Sequence, residues 1–260
     1  MPGQKNTALT ILGSGTCVPS LERSACSALL QVNHSRLLFD LGPGTMRRLL
    51  RTDTRIFDIG FICISHFHPD HSGELVPFLF ASKYPAANRR QAPLAILAGS
   101  GFSDFFSGLK QVYGEWIELP PEILSLTELS STGPDSRRFG DFVLKSMPVM
   151  HRNESIAFRI ESADGISVVY SGDTDYSENL IDLAVGADIL ICESALPDEL
   201  KAEGHLTPSL AGKIAAAAGV RKLVLTHFYP ECDTADIEGQ CRKTYAGPLV
   251  LARDLLQIDC

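Results

Sequence analysis

Ser65-His66-Phe67-His68-Pro69-Asp70-His71 places four metal-ligand side chains within six residues, directly after the apolar run Phe61–Ile64. That run, FICI, reads as a fully buried strand. Alternate residues of an extended segment share a face, so His66 and His68 can chelate one ion. A turn at Pro69 is expected to send Asp70 and His71 toward a second. Imidazoles crowded in this way repel one another when protonated and add nothing to folding. Ligation therefore explains the cluster better than a polar surface turn does.

One cluster cannot complete two sites, and three further residues stand where strands should end. His151 follows the strand expected over Phe142–Val149, Asp173 follows Ile166–Tyr170, and His227 follows Leu223–Thr226. Taken singly, these are a capping histidine, a turn aspartate and a strand-end histidine. With the cluster, they supply a bridging carboxylate and one more histidine for each ion.

Short apolar runs with strand character also lie at Leu9–Leu12, Ser27–Val32, Arg36–Leu41, Leu94–Leu97, Ser155–Glu161 and Asp188–Cys192. Asn33-His34-Ser35 and Asp164-Gly165 read as hairpin turns, with His34 solvated. Helices are expected at Thr45–Arg51, Gly73–Tyr84, Glu178–Val185 and Pro208–Ala218. The last has Thr207 as N-cap, Pro208 at the first helical position and Gly219 at the stop. Strand meanders interleaved with helices imply two sheets covered by helices, an α/β fold. No repeat, low-complexity tract or linker divides residues 1–260, so a single domain is expected.

Composition narrows the partners. The 260 residues are 45% hydrophobic and 21% charged, which excludes a disordered chain. The formal charge is −8, and the deficit sits in residues 131–260, where 20 acidic side chains face 12 basic ones. Wide contact with a polyanion is disfavoured, since it draws on many Lys and Arg. Arg47, Arg48, Arg51 and Arg55 form a basic stripe, read as a solvated helix face. Seven scattered cysteines without a CxxC pair point to reduced thiols. The amino-terminal stretch lacks a secretory pattern and no run is long enough to span a bilayer, so a cytoplasmic location without a membrane partner is expected.

HFHPDH, His151, Gly172-Asp173-Thr174 and Thr226-His227, in that order, resemble the metallo-β-lactamase superfamily over nearly the whole chain. Within it the sequence is most similar to the ribonuclease Z type of tRNA 3′-end processing endonuclease. Leu12-Gly13-Ser14-Gly15-Thr16-Cys17-Val18-Pro19-Ser20 with Arg23 resembles that group's first motif, as does Leu38-Phe39-Asp40-Leu41-Gly42. The Gly13-x-Gly15 pair lacks the third glycine of a dinucleotide fingerprint and is expected to make a tight turn beside the site.

The resemblance implies a four-layer αββα sandwich with a two-metal centre. His66, His68, His151 and Asp173 would hold one ion; Asp70, His71, Asp173 and His227 the other. It further implies a bridging water activated by both ions, Asp70 as acceptor of its proton, and zinc as the metal, with manganese or iron also compatible. His205 matches the family's additional histidine, the proposed general acid. Glu193 matches an acidic residue that orients it. A homodimer is the assembly the resemblance implies.

Two departures bear on the substrate. Ribonuclease Z enzymes carry a basic arm between the histidine matched by His151 and the aspartate matched by Asp173; here that interval is 22 positions, filled by strand, turn and strand. Phe228-Tyr229-Pro230-Glu231-Cys232 also lacks the arginine found in relatives. Both departures favour a small phosphodiester or a short RNA over intact tRNA. The expected function is thus a phosphodiesterase. A hydrolase of lactone, thioester or β-lactam carbonyls, and a metal-centred redox or binding protein, are the alternatives.

Overall fold

The structure, a computed structural model, describes residues 7–259; the extreme amino terminus read above for a leader, and Cys260, lie outside the described residues. The chain runs through β1 (Thr7–Gly13), β2 (Ser27–Val32), β3 (Ser35–Phe39), α1 (Thr45–Leu49), β4 (Phe61–Ile64), α2 (Pro69–Ser72), α3 (Leu75–Lys83), β5 (Leu94–Gly99), α4 (Phe102–Tyr113), β6 (Leu124–Leu129) and β7 (Asp135–Arg138). It continues through β8 (Phe142–Pro148), β9 (Ile156–Ser162), β10 (Ser167–Tyr170), α5 (Glu178–Ala184), β11 (Ile189–Glu193), α6 (Pro208–Ala218), β12 (Leu223–Thr226), α7 (Ile237–Arg242), β13 (Leu249–Leu251) and β14 (Leu256–Asp259).

Strict alternation along the strands creates two cores. In β2, Ala28, Leu30 and Val32 face one side and Leu29 the other; in β3, Leu37 and Phe39 oppose Leu38; in β4, Cys63 opposes Ile62 and Ile64. One set meets the second sheet, where Phe39 stacks on Tyr170 with ring centroids 5.0 Å apart and touches Phe158 at 6.1 Å. The other set packs under Leu75, Phe78 and Leu79 of α3 and Phe102 and Phe106 of α4. Helices α5, α6 and α7 cover the far face of the second sheet. The layers are therefore α, β, β, α, as expected.

The first sheet has the order β14-β1-β2-β3-β4-β5-β6 and the second β13-β12-β11-β10-β9-β8-β7. Strands β3 to β6 run parallel, as do β10 to β13, while β8 points the same way as β10 through two antiparallel pairings. The carboxyl ends of β3, β4, β8, β10, β11 and β12 thus open on one edge of the sandwich. Crevices at such ends are where open α/β sheets bind ligands.

Four sequence expectations are corrected. Pro69 does not make a simple turn: it opens the one-turn helix α2, with His68 at the N-cap position. Thr207 stands at the N-cap of α6 but makes no capping bond; the Ser209 amide donates instead to Asp198 Oδ1 at 3.1 Å. Gly13 and Gly15 serve close approach rather than a tight turn, since a Cβ on Gly13 would lie 1.9 Å from the Ala25 carbonyl. The basic stripe is not a uniformly solvated face, because Arg48 Nε sits 2.8 Å from the nearly buried Asp254 Oδ2 and Arg55 lies beyond the helix, paired with Asp58. Structure beyond the expected elements appears in α4, β6, β7, α7, β13 and β14.

Candidate metal centre

His66, His68, Asp70 and His71 leave the end of β4 in two directions, the first two from the extended segment and the last two from α2. Phe67, between the chelating pair, stacks on Phe105 of α4 with centroids 4.9 Å apart, which pins the loop to the outer helix layer. His151 arrives after β8, Asp173 after β10 and His227 after β12. Gly172 has φ +59, and a Cβ there would lie 2.5 Å from that of Ser65, so only glycine lets β10 turn this close to the histidine loop.

All seven expected ligands converge. Asp173 presents its two oxygens to different neighbours. Oδ2 faces His66 Nε2 at 3.6 Å and His151 Nε2 at 4.0 Å; Oδ1 faces His71 Nε2 at 3.1 Å and His227 Nε2 at 3.3 Å. Asp70 Oδ2 closes the second group, 3.6 Å from His227 Nε2 and 3.8 Å from His71 Nε2. His66, His68, His151 and Asp173 form one set able to hold a cation, and Asp70, His71 and His227 another.

The donor set fits divalent ions. His66 Nε2 and Asp173 Oδ1 are buried without a hydrogen-bond partner, a costly state for polar atoms that ligation relieves. Facing ring nitrogens, His68 Nδ1 with His151 Nε2 at 3.2 Å and His71 Nε2 with His227 Nε2 at 3.3 Å, are gathered around shared space that a cation would occupy. Burial opposes ionisation of Asp173, but His227, His71 and His66 more than offset it and hold its carboxyl well below the usual range. Burial likewise opposes the charged form of His71, yet Asp173 and Asp40 lift its pKa well above that of free imidazole. His66 is pushed well down by burial and by His71, so it stays neutral and ligand-competent.

Orientation comes from a second ring of bonds that residue types alone did not reveal. Asp40, fully buried after β3, accepts the Ser65 amide at Oδ1 (2.7 Å) and, at Oδ2, Ser65 Oγ (2.8 Å), Tyr170 OH (2.7 Å) and His71 Nδ1 (2.7 Å). The last bond fixes the tautomer of His71 and turns Nε2 toward Asp173. The signal in the sequence was Asp40 within Leu38-Phe39-Asp40-Leu41-Gly42, a stretch marked by its family resemblance but without a partner. Asp175 was missed: its Oδ2 holds Lys201 Nζ at 2.7 Å and the Gly204 amide at 3.0 Å, and the Gly204 carbonyl accepts His151 Nδ1 at 2.9 Å. Asp40 and His227 have φ of +57 and +61, backbone strain of about 1–3 kcal/mol each, concentrated at this site.

His205 and Glu193 also meet as expected. His205 Nδ1 lies 3.1 Å from Glu193 Oε1 and 3.9 Å from Asp173 Oδ2, and its ring stacks on His227 with centroids 5.6 Å apart. Glu193, at the end of β11, is anchored by the amides of Thr174 (2.7 Å) and Leu206 (3.1 Å). Burial disfavours the charged form of His205, but the hydrogen bond and charge of Glu193, with Asp173, raise its pKa to about 9.

Residues 35–228, spanning every candidate ligand from His66 to His227, match the family described as the Beta-lactamase superfamily domain. The chain belongs to the metallo-β-lactamase superfamily. Its resemblance to the ribonuclease Z group is matched by a ribonuclease Z of Streptomyces coelicolor, 30% identical over 304 positions that cover 96% of each chain. The human tRNase Z short form superposes with a TM-score of 0.78 at 26% identity, covering 97% of this chain and 98% of that one. The uncharacterized protein Rv1339 of Mycobacterium tuberculosis is 30% identical over 248 positions, 93% of this chain and 88% of the relative. Since 96% of 260 residues is about 250, roughly 50 of the 304 positions aligned with the Streptomyces enzyme face a gap here. The alignment with the mycobacterial relative has almost none. Family and ligand cluster together make the chain a metal-dependent hydrolase, and no helix among the described residues is long and apolar enough to cross a membrane.

Proposed function

We propose that this metallo-β-lactamase family member is a dinuclear phosphodiesterase acting on small phosphodiesters or short RNA in a reducing, cytoplasmic setting. The observation that carries the reading is Asp173, whose two oxygens face two separate groups of imidazoles. His66, His68 and His151 would hold one ion, Asp70, His71 and His227 the other, and Asp173 both; zinc suits this nitrogen and oxygen set. Bound there, a pair of divalent ions supplies an activated water and polarises a phosphoryl oxygen.

The chain's own residues do the rest. Asp70, whose carboxyl is held below the usual range by His227 and His71 against the opposing effect of burial, is ionised and able to accept a proton. His205, whose pKa Glu193 raises to about 9 against the effect of burial, stands where it could donate one to a leaving oxygen. Glu193 orients that donor and is itself fixed by two amides. A substrate without great length is supported by the β9–β10 hairpin: Ser167 pairs with Glu161 across a turn closed by the Gly165 amide on the Ser162 carbonyl. No arm interrupts this interval. Hydrolysis of a chromogenic bis-aryl phosphate by zinc-, manganese- or iron-loaded protein tests the proposal, with lactones, thioesters and β-lactams as the comparison panel. Turnover no greater than that of Asp70→Ala with every metal refutes it.

A further inference from the structure

Beside Asp70 the first-motif loop and α1 enclose a cleft of about 620 Å³, within the range that takes a small ligand. Val18, Pro19 and Leu21 form an apolar lip, with Leu21 92% exposed. The remaining wall carries Arg23, Arg47 and Arg48. Two of these are committed: Arg23 is held by Asp233 at 2.9 Å and by the Ala252 carbonyl, and Arg48 by Asp254 at 2.8 Å and by Ser24 Oγ. Asp254 is itself fastened by the Ser14 and Ser24 amides, so that pair belongs to the frame. Arg47, exposed in α1, has no acidic or hydrogen-bonding partner among the described residues.

The acids of this wall do not neutralise Arg47. Asp70 belongs to the metal centre, and both oxygens of Glu74 are taken, by the Gly44 amide at 2.7 Å and the Met46 amide at 2.6 Å. An acidic chain has thus kept a free guanidinium in the cleft that runs up to its metal centre, opposite an apolar lip. Guanidinium offers a planar fork that matches phosphate oxygens, and an exposed apolar edge offers a face for a nucleobase.

We propose that this cleft is the subsite for the nucleotide next to the cleaved bond, with Arg47 taking its phosphate and Val18, Pro19 and Leu21 its base. The preferred substrate is then a short linear oligonucleotide with a phosphate beyond the scissile one, rather than a cyclic or isolated phosphodiester. This rests on the phosphodiesterase reading above.

The test compares UpU, pUpU and UpUp as substrates of metal-loaded parent and Arg47→Met, a substitution at an exposed position of α1. In the parent, one phosphorylated dinucleotide is expected to exceed UpU in kcat/KM by about tenfold, expressed in KM, the scale of one charge-assisted hydrogen bond. In Arg47→Met the three substrates should fall within about twofold of one another. Absence of the preference in the parent, or its survival in the variant, overturns the proposal. Binding of uridine 3′,5′-bisphosphate, followed by calorimetry, separates the two levels of argument. If no phosphodiester is hydrolysed, the functional reading fails, and the cleft assignment stands only if the bisphosphate binds the parent at least fivefold more tightly than Arg47→Met.

Discussion

Replacing Asp40 by Asn tests whether the second ring of bonds controls the metal centre. The carboxylate accepts four hydrogen bonds, three of them on Oδ2, including the one that orients His71. An asparagine keeps the most contacts by placing its oxygen where Oδ2 stands. Its NH2 then opposes the Ser65 amide at 2.7 Å, leaving two buried donors face to face. Orphaning a buried donor costs about 1–3 kcal/mol, and losing the charge weakens the remaining three bonds by roughly half. Together these predict a loss of about 2–4 kcal/mol in unfolding free energy. Loosening His71 predicts a further effect on ion affinity of about 10–100-fold at the site of Asp70, His71 and His227, with a smaller one at the other site, where Ser65 Oγ links Asp40 to His66 Nδ1 at 3.0 Å. Urea unfolding of metal-stripped protein reads the first quantity, and competition with a chelator reads the second. Tyr170→Phe is the graded control: it removes one donor, keeps the carboxylate, and should cost about 1 kcal/mol with affinity nearly intact. Stability lost with both affinities unchanged would show that Asp40 anchors the fold without orienting the ligand, which would refute the argument.

His68→Ala is expected to lose one metal equivalent with the fold retained, whereas Asp173→Ala should lower occupancy at both positions; elemental analysis decides, and full occupancy in Asp173→Ala defeats the bridging assignment. His205→Ala should keep its metal and lose about 10²–10⁴ in rate, the usual contribution of a proton donor; equal rates would remove it from the chemistry. In metal-stripped protein the folded pKa of His205, about 9 against an ordinary 6.5, adds stability that is complete below pH 6.5 and disappears as pH rises through about 9. Urea unfolding measured from pH 6.5 to 9.5 should show stability falling in both proteins, as His71 and the buried thiols titrate, but falling further in the parent than in His205→Gln by about 1–3 kcal/mol; equal declines would remove the His205 contribution.

What the sequence made legible was local. The hairpin of β2 and β3 turns at Asn33, and the ligands stand out because ligating residue types recur at strand ends. Pairings between distant segments were not legible. Helix α4 has Gly101 at its N-cap position and so no side-chain cap of its own; the carboxylate of Glu128, 25 residues beyond Ser103, accepts the Ser103 amide at 2.7 Å. Strand β7 is a polar edge, DSRR, whose pattern carries no apolar alternation. Asp198 takes the capping work expected of Thr207 from a separate segment, and Arg48 finds Asp254 at a separation of 206 residues. The role of Asp40 depends on Tyr170, 130 positions away, which no spacing rule connects to it.

The distribution of charge now bears differently on the substrate. A formal −8 disfavours a long polyanion, but two of those acids, Asp70 and Asp173, lie inside the ligand cluster, where two divalent ions would add +4. Beyond them, the cleft at Asp70 carries the guanidinium of Arg47, unpaired among the described residues, while Arg23 and Arg48 are offset by Asp233 and Asp254. The potential that matters to an approaching phosphate is set within a Debye length, about 8 Å at physiological salt, so distant surface acids are largely screened. With divalent ions bound, such a centre would attract phosphate locally, while the acidic remainder of the surface would give a long RNA little purchase. Net charge and cleft charge therefore agree once distance is included, and both are consistent with the short phosphodiester proposed as substrate.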